Sequence, residues 1–349
     1  MRSDKKIELW GTYPPPIGGV SIHVKRLITY LNEIQCVYLK NFRGAPVNNV
    51  KYIANVTSAL REFFCLLFVP KKLIHLHSNN FKAFVLIYFL GFRHYVGITL
   101  HNKNLSKIHS GVKCLFLRLF FKRLNFIILN DPQYATFIQN KFNIPASKLN
   151  ILPAFLPPLP DERLGLPNEI LQFRQRYSYL ISANAFKLRY ENSVDIYGFD
   201  FLIELICRLK NKEINVGLLF CLPQIGDLEY FKKCQEKIKV LGLEKRIMIV
   251  QNVNLNGFEM WEISDLFVRP TTTDIEAISV KEALCCGVPV VASDVCTRPK
   301  EAILYKSGDF NDFFNKVYQC YLESPIVLKK EEGSLSPVKE ILKIYNQFK

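Results

Sequence analysis

The residues best suited to chemistry lie between Arg269 and Asp294, where two acids flank a predicted helix start. Asp274 and Glu282 are separated by seven residues, and a helix is predicted over Val280–Cys286. The first turn of a helix presents unpaired N–H groups and partial positive charge, which favour a bound phosphate. Carboxylates accept hydrogen bonds from sugar hydroxyls, including the vicinal pair of a ribose. The pattern favours a site for a sugar phosphate; the alternative is a plain helix cap with two solvated acids.

A glycine pair near the start of the chain offers a second place for an anion. Gly18 and Gly19 follow a strand predicted over Ile7–Trp10 and precede a helix predicted over Ser21–Leu31. Glycines at such a junction let the backbone approach a phosphate closely. A simple turn is the alternative interpretation.

Among the six histidines, His101 is the strongest candidate for a reacting site. It comes at the end of a strand predicted over Val96–Leu100, and ligands of open α/β sheets bind beyond the carboxyl ends of strands. The other five are weaker candidates. Two end a strand and are expected to alternate with Leu76 across the sheet, one lies in the opening helix, and two are expected at the surface: His75 and His77, His23, and His94 and His109.

Short apolar runs alternate with helical patterns through both halves of the chain, which is typical of parallel sheets built from β-α-β units. In the first half, strands are predicted over Ile7–Trp10, Leu73–Leu76, Val96–Leu100, Phe126–Leu129 and Leu149–Leu152, and helices over Ser21–Leu31, Phe81–Leu90 and Gly111–Leu124. In the second half, strands are predicted over Tyr179–Ser182, Val216–Cys221, Ile247–Val250, Leu266–Val268 and Val288–Ala292, and helices over Phe199–Leu209, Leu228–Val240, Val280–Cys286, Phe310–Leu322 and Pro337–Gln347.

Five prolines between Pro153 and Pro167 separate the two halves. Proline resists both helix interiors and central strands, so a boundary is expected there. We therefore predict an N-terminal α/β domain over residues 1–155, a linker over 156–176, a C-terminal α/β domain over 177–335 and a closing helix over 336–349.

The motif in the second half resembles family 4 of the retaining glycosyltransferases (glycosyl transferases group 1), which have the GT-B fold. That family has a glutamate, seven residues, Glu-Ala, and then a small-x-Gly-x-Pro-Val-Val-Ala-Ser string. Here Glu282-Ala283, Gly287 and Pro289–Ser293 match, and Asp274 stands at the first glutamate. The opening loop is similar as well. The resemblance implies two Rossmann-like doubly wound domains facing a central cleft, with acceptor and membrane on the N-terminal side and the nucleotide-sugar donor on the C-terminal side.

The resemblance also implies a role for each site residue. Glu282 would bind the donor ribose, and His101 and Asp274 would position the transferred sugar. The diphosphate would face the glycine pair and the backbone of three residues at the start of the helix: Gly18, Gly19, Ile278, Ser279 and Val280. The donor would be UDP- or GDP-linked and would need no separate cofactor. No metal is implied, since no Asp-x-Asp occurs. The sugar would pass with retention to a growing lipid-linked glycan, such as one on a polyprenyl diphosphate, in the synthesis of a cell-surface polysaccharide such as lipopolysaccharide.

Two basic residues of the family are out of register in this chain. The family has Gly-Arg after the first strand of its second domain and Lys-Gly before the next helix, and these cations stabilise the leaving diphosphate. This chain has Ser182-Ala-Asn184-Ala and Tyr197-Gly198 at those places. Lys187 and Arg189 are the predicted substitutes, and solvated loop cations are the alternative. Further candidates are Arg269 and Arg298.

The net charge of +15 is concentrated in the first half. Residues 1–160 carry 21 Lys and Arg against 5 Asp and Glu, whereas residues 161–349 carry 25 against 26. Bulky apolar and basic residues mix in Ala59–Lys72 and Lys113–Phe126, which is typical of membrane-interface segments. We expect an anionic membrane surface as a partner; core-facing helices with charged ends are the alternative. No known nucleic-acid motif is present, so we expect no nucleic-acid partner.

The localisation expected from these features is cytoplasmic and peripheral on the inner face of the cell membrane. No secretory signal opens the chain, and no apolar segment reaches the roughly 18 residues that span a bilayer. The ten cysteines include no C-x-x-C pair, so zinc and redox motifs are unsupported and reduced thiols are expected. Other functions stay open: a sugar-nucleotide epimerase of the same fold, a non-catalytic membrane-associated partner, and a nucleic-acid binder.

Overall fold

The computed structural model describes residues 6–16, 19–42, 44–48, 50–78, 80–108, 111–251, 255–274, 278–325 and 335–348. The chain divides into two compact units. Unit 1 comprises Met1–Leu156 together with Ser334–Lys349, and unit 2 comprises Pro157–Gly333.

Unit 1 contains a seven-stranded parallel sheet in the order β3-β2-β1-β4-β5-β6-β7. Its elements in chain order are β1 Ile7–Gly11, α1 Gly19–Ile34, β2 Tyr38–Phe42, β3 Ile53–Val56, α2 Ala59–Leu67, β4 Leu73–Leu76, α3 Phe81–Leu90, β5 Tyr95–Thr99, α4 Val112–Arg123, β6 Phe126–Leu129, α5 Pro132–Phe142 and β7 Leu149–Ile151.

Unit 2 contains a six-stranded parallel sheet in the order β14-β12-β8-β15-β16-β17, with two small pairs, β10-β11 and β9-β13. Its elements are α6 Asn168–Arg176, β8 Tyr179–Asn184, β9 Lys187–Leu188, β10 Tyr190–Glu191, β11 Val194–Asp195, α7 Phe199–Asn211, β12 Val216–Cys221, β13 Gln224–Gly226, α8 Leu228–Val240, β14 Ile247–Val250, α9 Gly257–Glu262, β15 Leu266–Arg269, α10 Ile278–Cys285, β16 Val290–Ser293, β17 Ile303–Tyr305 and α11 Phe310–Leu322. The last helix, α12, is Ser336–Asn346.

Each large sheet is covered on both faces, as parallel sheets require. In unit 1, one buried apolar cluster joins the sheet to α2, α3, α4 and α5, and the other joins it to α1 and α12. Successive strand residues serve opposite clusters: Leu9 lies in the second and Trp10 in the first. In unit 2, α7, α8 and α11 cover one face, and α6, α9 and α10 cover the other.

The predicted strands and helices are confirmed, with ends that differ by a few residues. The sequence did not predict β2 and β3, the last two strands at one end of the sheet, of which β3 is the edge strand; their residues include Lys40, Asn41 and Asn55. It also did not predict α5, although Asp131 caps that helix and Pro132 opens it.

The predicted linker and closing helix need correction. Residues 168–176 form α6, in which Ile170 and Phe173 are buried in the core of unit 2, so only the first part of the segment 156–176 connects the units. The closing helix is part of unit 1, because Val338 and Tyr345 are fully buried there. In the described ranges, no helix has both the length and the apolar character needed to cross a bilayer.

Candidate functional site

Histidine side chains gather at the carboxyl-terminal edge of the unit 1 sheet. His75 lies within β4, His77 follows it directly, His101 follows β5, and His23 lies near the start of α1. Gly11, at the end of β1, allows α1 to come this close: a Cβ there would lie 3.0 Å from Val24 Cγ2 and 3.4 Å from His77 Cβ. The β-α-β arrangement thus brings together imidazoles that are far apart in sequence.

Hydrogen bonds fix the orientation of several of these rings. The Nδ1 atom of His23 lies 2.9 Å from the carbonyl oxygen of Ala154, and because a carbonyl only accepts, Nδ1 carries the proton. The Nδ1 atom of His77 lies 3.1 Å from Nε2 of His101, so one of the two donates to the other.

His75 is held on both sides by hydroxyl groups. Its Nδ1 lies 2.6 Å from Tyr345 Oη on α12, and its Nε2 lies 2.8 Å from Thr99 Oγ1 on β5. The tyrosine ring is itself fully buried, and burial raises its pKa well above the ordinary value. This contact ties the C-terminal helix to the sheet edge.

Burial keeps these imidazoles neutral. It lowers the pKa of His75 to about 3, with a smaller contribution from His23. It also lowers the pKa of His77 and of His101 well below the ordinary value, and the neighbouring histidines add to the effect. At neutral pH the three rings are uncharged and can offer a lone pair to a ligand.

The histidine predictions have mixed outcomes. His101 lies at the predicted sheet edge, and Leu76 alternates with its two histidine neighbours as predicted: Leu76 packs in the cluster with α2 to α5, whereas His75 and His77 share the other face, with ring centres 4.3 Å apart. His94 is not a surface residue. It is buried, donates from Nε2 to the Leu66 carbonyl at 2.8 Å and accepts from the Lys72 N–H at 3.1 Å.

The remaining predictions for unit 1 concern His109 and the glycine pair. His109 and Gly18 lie outside the described residues. Gly19 is the first residue of α1, and a Cβ there would meet no atom within 4 Å. Open space at this position agrees with the close approach of a ligand, although the role of Gly19 stays a prediction.

In unit 2, α10 begins at Ile278, two residues before the predicted helix start, and its role as a phosphate site stays a prediction. Its first turn contains Ile278, which is exposed, and Ser279 and Val280, which are buried. Glu282 follows in the next turn and is half-buried. Burial, and then the charge of Glu282, raises the pKa of Cys221 at the end of β12 to about 12. The carboxylate therefore lies close to the carboxyl edge of the sheet.

The residues that follow Glu282 stabilise the fold of unit 2. Gly287 has φ +80°, a conformation that suits glycine, and its N–H bonds the Leu284 carbonyl at 2.9 Å to end α10. Residues 290–293 form β16, which is buried throughout. Ser293 Oγ donates to the Thr271 carbonyl at 2.6 Å. These contacts hold the loop before α10 against the next strand.

Asp274 lies in a buried ion cluster. Its Oδ2 accepts from Arg269 Nε at 3.1 Å and from Arg298 Nη1 at 3.0 Å. The side chains of Asp274, Arg269 and Arg298 are only 11, 10 and 1% exposed. Burial alone would raise the pKa of the carboxyl group, but the two guanidinium groups outweigh it and hold the pKa below the ordinary value. Asp274 is thus an anion with two fixed cationic partners, and its role toward a sugar stays a prediction.

Arg269 contacts both segments in which this sequence departs from the family's pattern. Its Nη1 donates to the backbone oxygen of Asn184 at 2.8 Å and to Oδ1 of the same residue at 3.0 Å. Its guanidinium carbon lies 5.5 Å from the ring centre of Tyr197. Asn184 and Tyr197 mark the two positions that depart from the family pattern, so Arg269 brings positive charge to both.

The predicted substitutes lie further along the chain. Lys187 is exposed on β9, which pairs with β13 beyond the carboxyl ends of β8 and β12. Arg189 is also exposed, and its guanidinium pairs with Glu191. Both residues lie on the expected side of the sheet. Their contact with a diphosphate stays a prediction.

Part of unit 2 matches a known family. Residues 190–314 match the family model described as Glycosyl transferases group 1. The chain is also similar to an uncharacterized glycosyltransferase of Methanocaldococcus jannaschii, with 25% identity over 196 residues. That match covers 56% of this chain and 46% of the relative, so it spans about half the length of the curated relative.

Solved structures are similar over nearly the whole chain. HepE of Anabaena in complex with UDP has a TM-score of 0.63 at 15% identity, covering 99% of this chain and 98% of its own. Sucrose-phosphate synthase of Thermosynechococcus elongatus has a TM-score of 0.60 at 15% identity, covering 99% of each chain. A glycosyltransferase of Rickettsia africae has 0.62 at 13% identity, covering 99% and 98%. These likenesses confirm the predicted fold class, two Rossmann-like α/β domains of the GT-B type.

Proposed function

We propose that this chain is a glycosyltransferase that moves a sugar from a nucleotide-diphosphate sugar to a growing glycan. The observation that carries the proposal is the start of α10, with Glu282 one turn further on, inside the region that matches Glycosyl transferases group 1. A UDP-linked donor is the first to test, since HepE was solved in complex with UDP and with UDP-glucose.

Each residue of the proposed donor site has a physical role. The N–H groups of Ile278, Ser279 and Val280 meet the diphosphate, where the helix dipole favours negative charge. The carboxylate of Glu282 accepts hydrogen bonds from the ribose hydroxyls. Lys187 and Arg189, or Arg269 in their place, stabilise the charge that develops on the leaving diphosphate. No protein nucleophile is assigned. His101 positions the transferred sugar, which is transferred with retention.

The proposed acceptor is a lipid-linked glycan at an anionic membrane surface, in cell-surface polysaccharide synthesis. On α4, the buried residues Cys114, Leu117, Phe120 and Phe121 face the core of unit 1. The opposite side exposes Val112, Leu115 and Leu119 by 85, 60 and 48%, at the i, i+3, i+7 spacing of one helix face. Exposed cations adjoin this stripe: Lys113, Arg118 and Lys122. Such a surface suits the interface of an anionic bilayer on the cytoplasmic side.

Vesicle flotation tests the membrane part of the proposal. Leu115→Asp/Leu119→Asp removes apolar contact and adds negative charge at exposed positions, so it leaves the core of unit 1 unchanged. We expect the wild-type chain to float with anionic vesicles and this variant to remain in the unbound fraction. Val240→Asp is the matched control, because Val240 is 79% exposed on α8 of unit 2. Equal flotation of all three proteins would refute the membrane contact.

A mass-spectrometric screen tests the reaction itself. Purified chain is incubated with UDP- and GDP-sugars, with and without polyprenyl-diphosphate glycans, and products are identified by mass. We expect an acceptor product one sugar heavier, lost in Glu282→Ala and retained in Glu236→Ala, an exposed acid on α8. Conversion of the donor without an acceptor would favour an epimerase. No nucleotide-sugar binding at all would favour a non-catalytic partner.

A further inference from the structure

The histidine cluster of unit 1 has the geometry of a metal-binding site. One ring nitrogen from each of His23, His77 and His101 lies within 4.8 Å of the others. The ring centres form a nearly regular triangle, with sides of 5.0 Å between His23 and His101, 5.3 Å between His77 and His101, and 5.6 Å between His23 and His77. A tetrahedral ion about 2.1 Å from each nitrogen would set ring centres about 5 Å apart.

The surrounding hydrogen bonds prepare the rings to act as ligands. The bond from Nδ1 of His23 to the Ala154 carbonyl places the lone pair of that ring on Nε2. A backbone carbonyl bonded to the far nitrogen is the usual orientation of a histidine that binds a metal. His75 lies next to the cluster and forms hydrogen bonds with Tyr345 and Thr99. These bonds hold in place the ring that lies beside His77.

The facing nitrogens of His77 and His101 can hold either a proton or an ion. Only one proton lies between Nδ1 of His77 and Nε2 of His101, which are 3.1 Å apart. An ion between the rings removes the need for that shared proton, because both facing nitrogens then donate a lone pair to it.

The site also has space for a fourth ligand, and an ion can enter it from solvent. A cavity of about 40 Å³ is lined by His23, His101 and Asn130, among others, and a water molecule needs only about 10–15 Å³. Although His77 is buried, His23 and His101 are partly exposed, so an ion can reach the cluster from solvent.

We propose that His23, His77 and His101 bind a first-row divalent transition-metal ion, Zn²⁺ or a near neighbour, with water as the fourth ligand. Three imidazole nitrogens suit Zn²⁺, Co²⁺, Ni²⁺ and Cu²⁺, whereas Mg²⁺ and Ca²⁺ prefer oxygen. The site goes beyond the proposed sugar transfer and does not depend on it. Sequence motifs for zinc could not indicate it, because the three residues come from α1, the end of β4 and the end of β5.

Metal titration of the tag-free, chelator-treated chain tests the site. We expect one equivalent of Zn²⁺ to bind by calorimetry, and Co²⁺ to give the visible bands of a tetrahedral site. His23→Ala and His101→Ala should each weaken binding at least tenfold. His77→Gln, with its fold checked by circular dichroism, should do the same. His94→Gln is the matched control, a buried histidine of unit 1 outside the cluster, and should bind like the wild type.

Two results would overturn the proposal: no saturable binding near one Zn²⁺ per chain, or binding that His23→Ala and His101→Ala leave unchanged. Equal displacement of Zn²⁺ by Mg²⁺ would also contradict it. Glu282→Ala keeps the three histidines and should bind Zn²⁺ normally. A failure here therefore says nothing about nucleotide binding, and a failure of nucleotide binding says nothing about the metal.

Discussion

Removal of the Asp274 carboxylate should destabilise unit 2 before any substrate is involved. Asp274→Ala leaves Arg298, which is 1% exposed, and Arg269 buried without their common anion. Breaking a buried ion pair by removing one partner costs about 3–5 kcal/mol. Because Asp274 keeps 11% exposure, we take the low end, about 3 kcal/mol. For a domain of about 180 residues that lowers the melting temperature by about 6–12 °C.

The assay is calorimetric melting, with variants that separate charge from packing. Asp274→Ala/Arg298→Met removes the anion and the more buried cation together, so it should lose less stability than the sum of the two single variants. Asp274→Glu keeps the charge and should fall between the wild type and Asp274→Ala. Glu236→Ala, at an exposed position, should melt within about 2 °C of the wild type, since surface changes usually stay within about 0.5 kcal/mol.

The result that would refute this reasoning is an Asp274→Ala protein that melts like the wild type. If that protein also failed to transfer sugar, Asp274 would act mainly on the substrate, as the family resemblance implies. A lower melting temperature together with transfer by the Asp274→Glu protein would assign the residue to positioning the loop before α10.

Three further predictions follow from single contacts. Tyr345→Phe removes the hydroxyl 2.6 Å from His75 Nδ1, and a buried nitrogen left unpaired should cost about 1–3 kcal/mol of the free energy of unfolding, measured by urea titration; an unchanged midpoint would contradict this. Gly198→Ala should destabilise unit 2, since φ is +69° and the new Cβ would lie 2.2 Å from the Pro270 carbonyl oxygen; its melting curve checks this, and wild-type melting would disprove the clash. Acidification should weaken unit 2 through Asp274. The pKa of this carboxyl group is lower in the folded than in the unfolded chain, so the unfolded chain binds more protons. The stability that the group contributes is present above its unfolded pKa and is lost as the pH falls through its folded pKa. Melting between pH 6 and 3 should therefore show a shallower loss in Asp274→Asn, and equal slopes would contradict the linkage.

The alternation of apolar runs was enough to predict both sheets, because their central strands are buried on both faces and are apolar nearly throughout. It failed for the edge strand β3 and its neighbour β2, whose partly exposed side chains include Asn55 and Lys40. It also missed α6, since five prolines nearby favoured a linker. The spacing of apolar residues reflects which side chains are buried, so an element with a solvent-exposed side gives a weaker apolar pattern.

At the candidate sites, the sequence likewise did not predict contacts between residues that are far apart in the chain. The motif around Glu282 was readable because its helix start, glycine stop and buried strand are consecutive in sequence. The pairing of Asp274 with Arg298 spans 24 residues, and that of His75 with Tyr345 spans 270. No local spacing encodes such pairs, because they depend on which strands become neighbours in the sheet.

Nucleotide binding by the wild-type chain and Glu282→Ala is the most direct measurement of the proposed donor site. Calorimetric titration with UDP, GDP and their sugars should show binding to the wild type, weakened at least tenfold in Glu282→Ala, with the fold of the variant checked by circular dichroism. Glu236→Ala should bind like the wild type. Equal binding by the wild type and Glu282→Ala, or none by either at millimolar nucleotide, would contradict the account.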